Sequence, residues 1–166
     1  MTRKMCLTLF QAYPHKIDTL ELLVQKLVEL GWSELVLFRS NRAQVENISE
    51  NKKSRLEKIA KEALEQCGGN TPLKIIYSQN NQGKLLEKYP DLLHIVGQLN
   101  GSKKLQDCKK EEKIGLWVGP EGGWSWEEEQ VFEGNGVYGW SFNDQILRLE
   151  TAAIVGAGII LYFTGV

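Results

Sequence analysis

Apolar and polar positions alternate in blocks along the 166 residues. Residues 5–10 form a short, largely apolar run, the pattern of a strand. Leu20, Leu23, Val24, Leu27, Val28 and Leu30 then recur at helical period, predicting a helix that ends near Gly31. Asp18 and Glu21 stand at its start with capping-box spacing. A fully apolar strand is expected at residues 35–38. A helix at 52–66 follows, with Leu56, Ile59, Ala60, Ala63 and Leu64 on one stripe and Gly68-Gly69 as its stop. Residues 73–77 predict a strand, 83–89 a short helix and 92–96 another strand. The polar, lysine-bearing stretch 100–113 reads as an exposed loop. Beyond it come a strand at 114–118, a glycine loop, and a helix opened by Ser125 with Glu128 three residues on. A strand at 137–142 and an apolar helix at 150–163 complete the chain.

Strands without a polar face, alternating with helices, predict the α/β class: a mostly parallel sheet flanked by helices. No repeat, linker or low-complexity segment interrupts the pattern, so residues 1–166 read as a single domain.

Composition narrows the function. The apolar stretch 152–163 is too short to span a bilayer, which takes about 20 residues, and a buried core helix is expected instead. Met1-Thr2-Arg3-Lys4 has no signal-peptide character. Cys6, Cys67 and Cys108 are widely separated and form no CxxC pair, which fits a reduced, cytoplasmic setting. With His15 and His94 as its only histidines, the chain offers no recognisable zinc-ligand set, and no metal is expected. A net charge of −1 argues against indiscriminate nucleic-acid binding. Yet residues 120–166 hold seven acids and one cation, leaving the remainder modestly basic and suited to face RNA.

Two segments carry the chemistry. In the first, the strand ending at Val118 runs into Gly119-Pro120-Glu121-Gly122-Gly123 and directly into a helix. Ligands of parallel sheets bind beyond the carboxyl ends of the strands, and glycines there let a ligand approach the backbone. The loop matches neither GxGxxG nor GxxxxGK[ST], which disfavours dinucleotide and P-loop chemistry. By glycine content alone, a tight turn without a ligand remains an equal alternative. In the second segment, Phe142-Asn143-Asp144-Gln145 leads through Ile146-Leu147-Arg148 into the last helix. A lone arginine at such a place is either a structural ion-pair partner or a functional cation. Arg39-Ser40-Asn41-Arg42 and Glu65-Gln66-Cys67-Gly68 end a strand and a helix, and read locally as turn and cap sequences. A small hydrolase built on Glu121 lacks a nucleophile with a defined partner.

Taken together, Gln25 to Gly31, Arg39-Ser40, Glu65-Gln66-Cys67-Gly68, Val118 to Gly123 and Ile146 to Ala152 resemble the RsmE methyltransferases of the SPOUT superfamily. The resemblance implies a C-terminal trefoil knot, a homodimer, and S-adenosyl-L-methionine as cofactor. It further implies methylation at N3 of a uridine in small-subunit ribosomal RNA or the small-subunit particle. Carried over by position, it implies cofactor binding at Val96, Gly97, Val118, Gly119, Pro120, Glu121, Gly123, Phe142, Asn143, Ile146 and Leu147. Arg39, Arg42, Arg148 and Glu121 are the implied catalytic candidates, with Glu121 either taking a proton or fixing its loop. The chain departs from the family in having no PUA-like RNA-binding domain before Ala12, and in Gly69 and Gln145 where arginines are usual. These departures keep open a second expectation, a non-catalytic or divergent SPOUT-like dimer that binds cofactor or RNA as a partner module.

Overall fold

The computed structural model describes residues 5–105 and 113–165. Cys108, part of the polar stretch at 100–113, and the start of the N-terminal segment lie outside them. Six strands form one sheet: β1 (Cys6–Ala12), β2 (Glu34–Phe38), β3 (Lys74–Tyr77), β4 (Leu93–Ser102), β5 (Lys113–Val118) and β6 (Tyr138–Trp140). Their order is β3-β2-β1-β5-β4-β6, and every pairing is parallel. Among the described residues, α1 (Asp18–Glu29), α2 (Glu50–Cys67), α3 (Gln82–Lys88) and α4 (Trp126–Gly134) lie between strands, and α5 (Leu149–Thr164) follows the last one.

Strand side chains alternate between the two faces, and both faces are covered. Leu7, Leu9, Leu35, Leu37, Leu116 and Ile95 point into a core shared with α1, α2 and α5. Phe10, Val36, Phe38, Val96 and Trp117 point the other way, into a core closed by Leu85 of α3 and Phe132 of α4. That second core is aromatic, with Phe10 and Trp117 stacked at 4.1 Å between centroids.

Element ends follow local chemistry. Ser49 caps α2 by accepting the N–H of Lys52, which starts that helix two residues ahead of the expected position 52; Gly68 ends it at φ 68°. The capping box expected of Ser125 and Glu128 is formed. The one expected of Asp18 and Glu21 is not. Ile17 occupies the N-cap without a side-chain bond, and Glu21 turns outward to accept from Nη2 of Arg55 at 2.9 Å, which lowers its carboxyl pKa.

Two further expectations change. The polar stretch from Asn100 does not begin as a loop, because β4 continues to Ser102, which pairs with Trp140. Gly101 allows this: a Cβ there would lie 2.6 Å from the backbone nitrogen of Trp140. Helix α5, expected in the core, is buried on one side only. Ala153, Ala157 and Ile160 are inside, while Val155 and Tyr162 are 41% and 82% exposed. Among the described residues, no helix is long and apolar enough to cross a membrane.

Candidate active site

A cleft of about 1200 Å³ opens along the later part of β4 and beyond the carboxyl ends of β5 and β6. This is where a parallel sheet leaves room for a ligand, and the volume suits a nucleoside-sized molecule with a second group beside it. The glycine loop and the segment before α5, distant in sequence, form its walls together.

Each glycine of the first segment has its own reason. Gly119 lies against the ring of Trp124, where a Cβ would come within 3.2 Å. Gly122 lies against Arg42, whose Nη1 donates to its carbonyl oxygen at 3.1 Å. Gly123 has φ 71° and closes a turn by donating its N–H to the Pro120 carbonyl at 2.9 Å. The second segment is anchored by Ser141, whose N–H donates to Ser102 and whose hydroxyl donates to the Asn143 carbonyl.

Of the residues expected to bind cofactor, Gly97, Val118, Gly119, Pro120, Glu121, Gly123, Phe142, Asn143, Ile146 and Leu147 line this cleft. Val96 does not: strand alternation turns it into the aromatic core, 1% exposed. Arg148 and Glu121 line the cleft; Arg39 and Arg42 do not. Arg39 pairs with Glu46 at 2.9 Å on the surface. Arg42 meets the glycine loop at Gly122. Arg148 forms no ion pair among the described residues, so the structural bridge considered for it is absent there. Both carboxylate oxygens of Glu121 accept the backbone N–H of His15, at 3.0 and 3.2 Å.

Three contributors escape a linear reading. Trp124 donates its indole N–H to the Gly97 carbonyl at 3.3 Å, from the loop after β5 to β4. Gln11, fully buried in β1, donates to the Ala12 and Val118 carbonyls at 2.9 and 3.3 Å. Glu128, 2% exposed, accepts from the hydroxyl of Ser40 and the N–H of Asn41 at the end of β2. Only the capping half of Glu128's work has a sequence signal.

The cleft is lined by the acids Glu121, Glu129, Glu133 and Glu150, against Lys16 and Arg148. An excess of carboxylates disfavours a polyphosphate and suits a ligand carrying positive charge. Nearby, the exposed carboxyl of Glu127 is held below its ordinary value by its own backbone N–H and by the Ser125 hydroxyl. Burial pushes the Tyr13 phenol up and keeps it protonated.

Residues 2–161 match the family model described as RNA methyltransferase domain. The chain belongs to that family. This RNA methyltransferase domain is 33% identical over 141 residues to ribosomal RNA small subunit methyltransferase E 2 of Borreliella burgdorferi, covering 81% of this chain and 57% of that protein. It is 30% identical over 145 residues to ribosomal RNA small subunit methyltransferase E of Helicobacter pylori strain J99, covering 87% and 62%. Its fold superposes on the Neisseria gonorrhoeae methyltransferase E bound to S-adenosyl methionine, with TM-score 0.85 and 28% identity over 95% of this chain and 66% of that one. The domain therefore spans less than two thirds of the length of these relatives.

Proposed function

We propose that the domain is an S-adenosyl-L-methionine-dependent RNA methyltransferase acting on N3 of a uridine in small-subunit ribosomal RNA. The observation that carries this reading is the convergence of Gly119–Gly123 and Phe142–Arg148 on one cleft at the carboxyl end of a parallel sheet. The cleft fits the cofactor in size, in its backbone-lined glycine walls, in the apolar surfaces of Leu116, Val118 and Leu147, and in its excess of carboxylates.

Bound there, the cofactor supplies a methyl group on a sulfonium. The protein must place a uracil in line with it, accept or release the N3 proton, and support charge on the uracil oxygens. Arg148, exposed at the cleft and free of ion pairs among the described residues, has the planar fork of donors for the last task. Glu121 serves best by holding its loop, because its carboxylate is engaged by His15. Arg42, exposed beyond the end of β2 and held against Gly122, is a second cation available to the RNA, whereas Arg39 is engaged by Glu46. Working as a homodimer suits α5, whose Val155 and Tyr162 lie exposed on an apolar helix. A C-terminal trefoil knot and a cytoplasmic setting belong to the same reading, supported by the likeness to methyltransferase E proteins.

A second reading, a cofactor- or RNA-binding partner without catalysis, is favoured by Gly69 and Gln145 in place of arginines and by the engaged carboxylate of Glu121. Radiolabelled methyl transfer separates the two. The enzyme reading expects labelled 3-methyluridine in small-subunit RNA or particles from cells lacking their own enzyme. Cofactor binding without transfer to either substrate would favour the partner module.

A further inference from the structure

Resting on the methyltransferase reading, we propose that Glu128 is a positioning residue that couples the RNA-side arginine loop to the cofactor cleft. It is buried in the first turn of α4, and no cation lies within ion-pair distance of it among the described residues. A carboxylate in such a place must be satisfied by hydrogen bonds. Oε2 accepts the Ser125 N–H at 2.8 Å, which completes the capping box. Oε1 accepts the Ser40 hydroxyl at 2.8 Å, the Asn41 N–H at 2.9 Å and the side-chain amide of Gln82.

Capping alone requires only the first of these bonds, and a glutamine serves it as well. The other donors come from residues far away in sequence, and two of them belong to the segment between Arg39 and Arg42. Asn41 adds a second tie by donating from Nδ2 to the Ser125 hydroxyl at 2.9 Å. With Ser40 and Asn41 held in this way, Arg42 is brought against Gly122, and the segment after β2 is tied to the glycine loop. A glutamine at 128 would turn its amide N–H toward at least one of the four donors. Its single carbonyl oxygen can keep either the Ser125 cap bond or the bonds from Ser40, Asn41 and Gln82, so in either orientation the side chain no longer bridges the helix start and the loop.

The test compares wild type, Glu128→Gln, Arg42→Ala and the double variant in steady-state methyl transfer to small-subunit RNA, with cofactor affinity by calorimetry. Glu128→Gln is expected to lower kcat/KM for RNA by about 10- to 100-fold. Cofactor affinity should stay within about threefold of wild type, and the double variant within about twofold of Arg42→Ala. The distant core substitution Leu56→Val should lower thermal stability without changing the KM for RNA. If Glu128→Gln does not fold, Ser40→Ala takes its place with the same expected non-additivity. Effects that multiply with Arg42→Ala, or fall on cofactor affinity and RNA alike, would make Glu128 merely structural and overturn the proposal. A wild type that binds cofactor and transfers no methyl group to RNA would overturn the underlying reading, and the proposal with it.

Discussion

The indole N–H of Trp124 donates to the carbonyl oxygen of Gly97 at 3.3 Å, while the same ring lies against Gly119. One side chain thus links the Gly97 end of the cleft to the glycine loop after β5. A Cβ at Gly119 would come within 3.2 Å of the ring, so the ring or the loop must shift. Gly119→Ala is expected to weaken S-adenosylmethionine binding by about tenfold, at a stability cost of about 1–3 kcal/mol. Calorimetry and thermal unfolding measure the two. Unchanged cofactor affinity would mean that this wall does not shape the binding site.

Glu121 provides a sharper chemical distinction. A general base contributes typically about 10²- to 10⁴-fold. A carboxylate that only accepts the His15 N–H can be replaced by an amide oxygen. Glu121→Gln is therefore expected to retain methyl transfer within about tenfold of wild type. A larger loss in kcat at saturating RNA and cofactor would give Glu121 the proton-transfer role.

The strands and helices were legible because each apolar run had a length and period of its own. The glycine loop and Ile146-Leu147-Arg148 are legible as a pair because together they resemble the RsmE segments. What remained hidden depends on neighbours that only the strand order creates. Trp124 reads as an apolar helix-entry residue until β4 is placed beside β5. Glu128 reads as a cap until the end of β2 is brought to the start of α4. Arg39 read as a site residue, yet Glu46, a few positions on, holds it at the surface. Strand continuation past Asn100 was masked by polar composition, which on an exposed strand resembles a loop.

Arg148 lines the cleft and is exposed there, which suits it to the proposed charge-supporting role. Removing one charge-stabilising donor typically costs about 10²- to 10³-fold in kcat. Arg148→Ala is expected to show that loss with cofactor affinity little changed, and Arg148→Lys to restore only part of it because the planar fork is gone. Single-turnover kinetics at saturating cofactor measure the step. Wild-type rates in the alanine variant would remove Arg148 from the reaction.

At the opposite end of the sheet, His94 accepts the Trp117 indole N–H at Nδ1 (3.0 Å) and lies 2.8 Å from the Tyr89 carbonyl through Nε2. Burial lowers its pKa below the ordinary 6.5, against a smaller opposing effect of the Tyr89 carbonyl. The unfolded chain therefore binds the proton first as pH falls. Stability from this residue is fully present above about pH 6.5 and declines as pH drops toward the lower folded value. His94→Asn, which keeps an acceptor for Trp117, should flatten the stability profile between pH 6.5 and 5.5 relative to wild type. Denaturant unfolding at a series of pH values reads the difference; parallel profiles would contradict it.

The central claim, that the cleft between Gly119–Gly123 and Phe142–Arg148 holds S-adenosylmethionine, is tested most directly by titrating the full chain with S-adenosylmethionine and S-adenosylhomocysteine in a calorimeter. The account predicts saturable binding of both, one per cleft, weakened in Gly119→Ala. No detectable heat or displacement with either ligand at high concentration would contradict it.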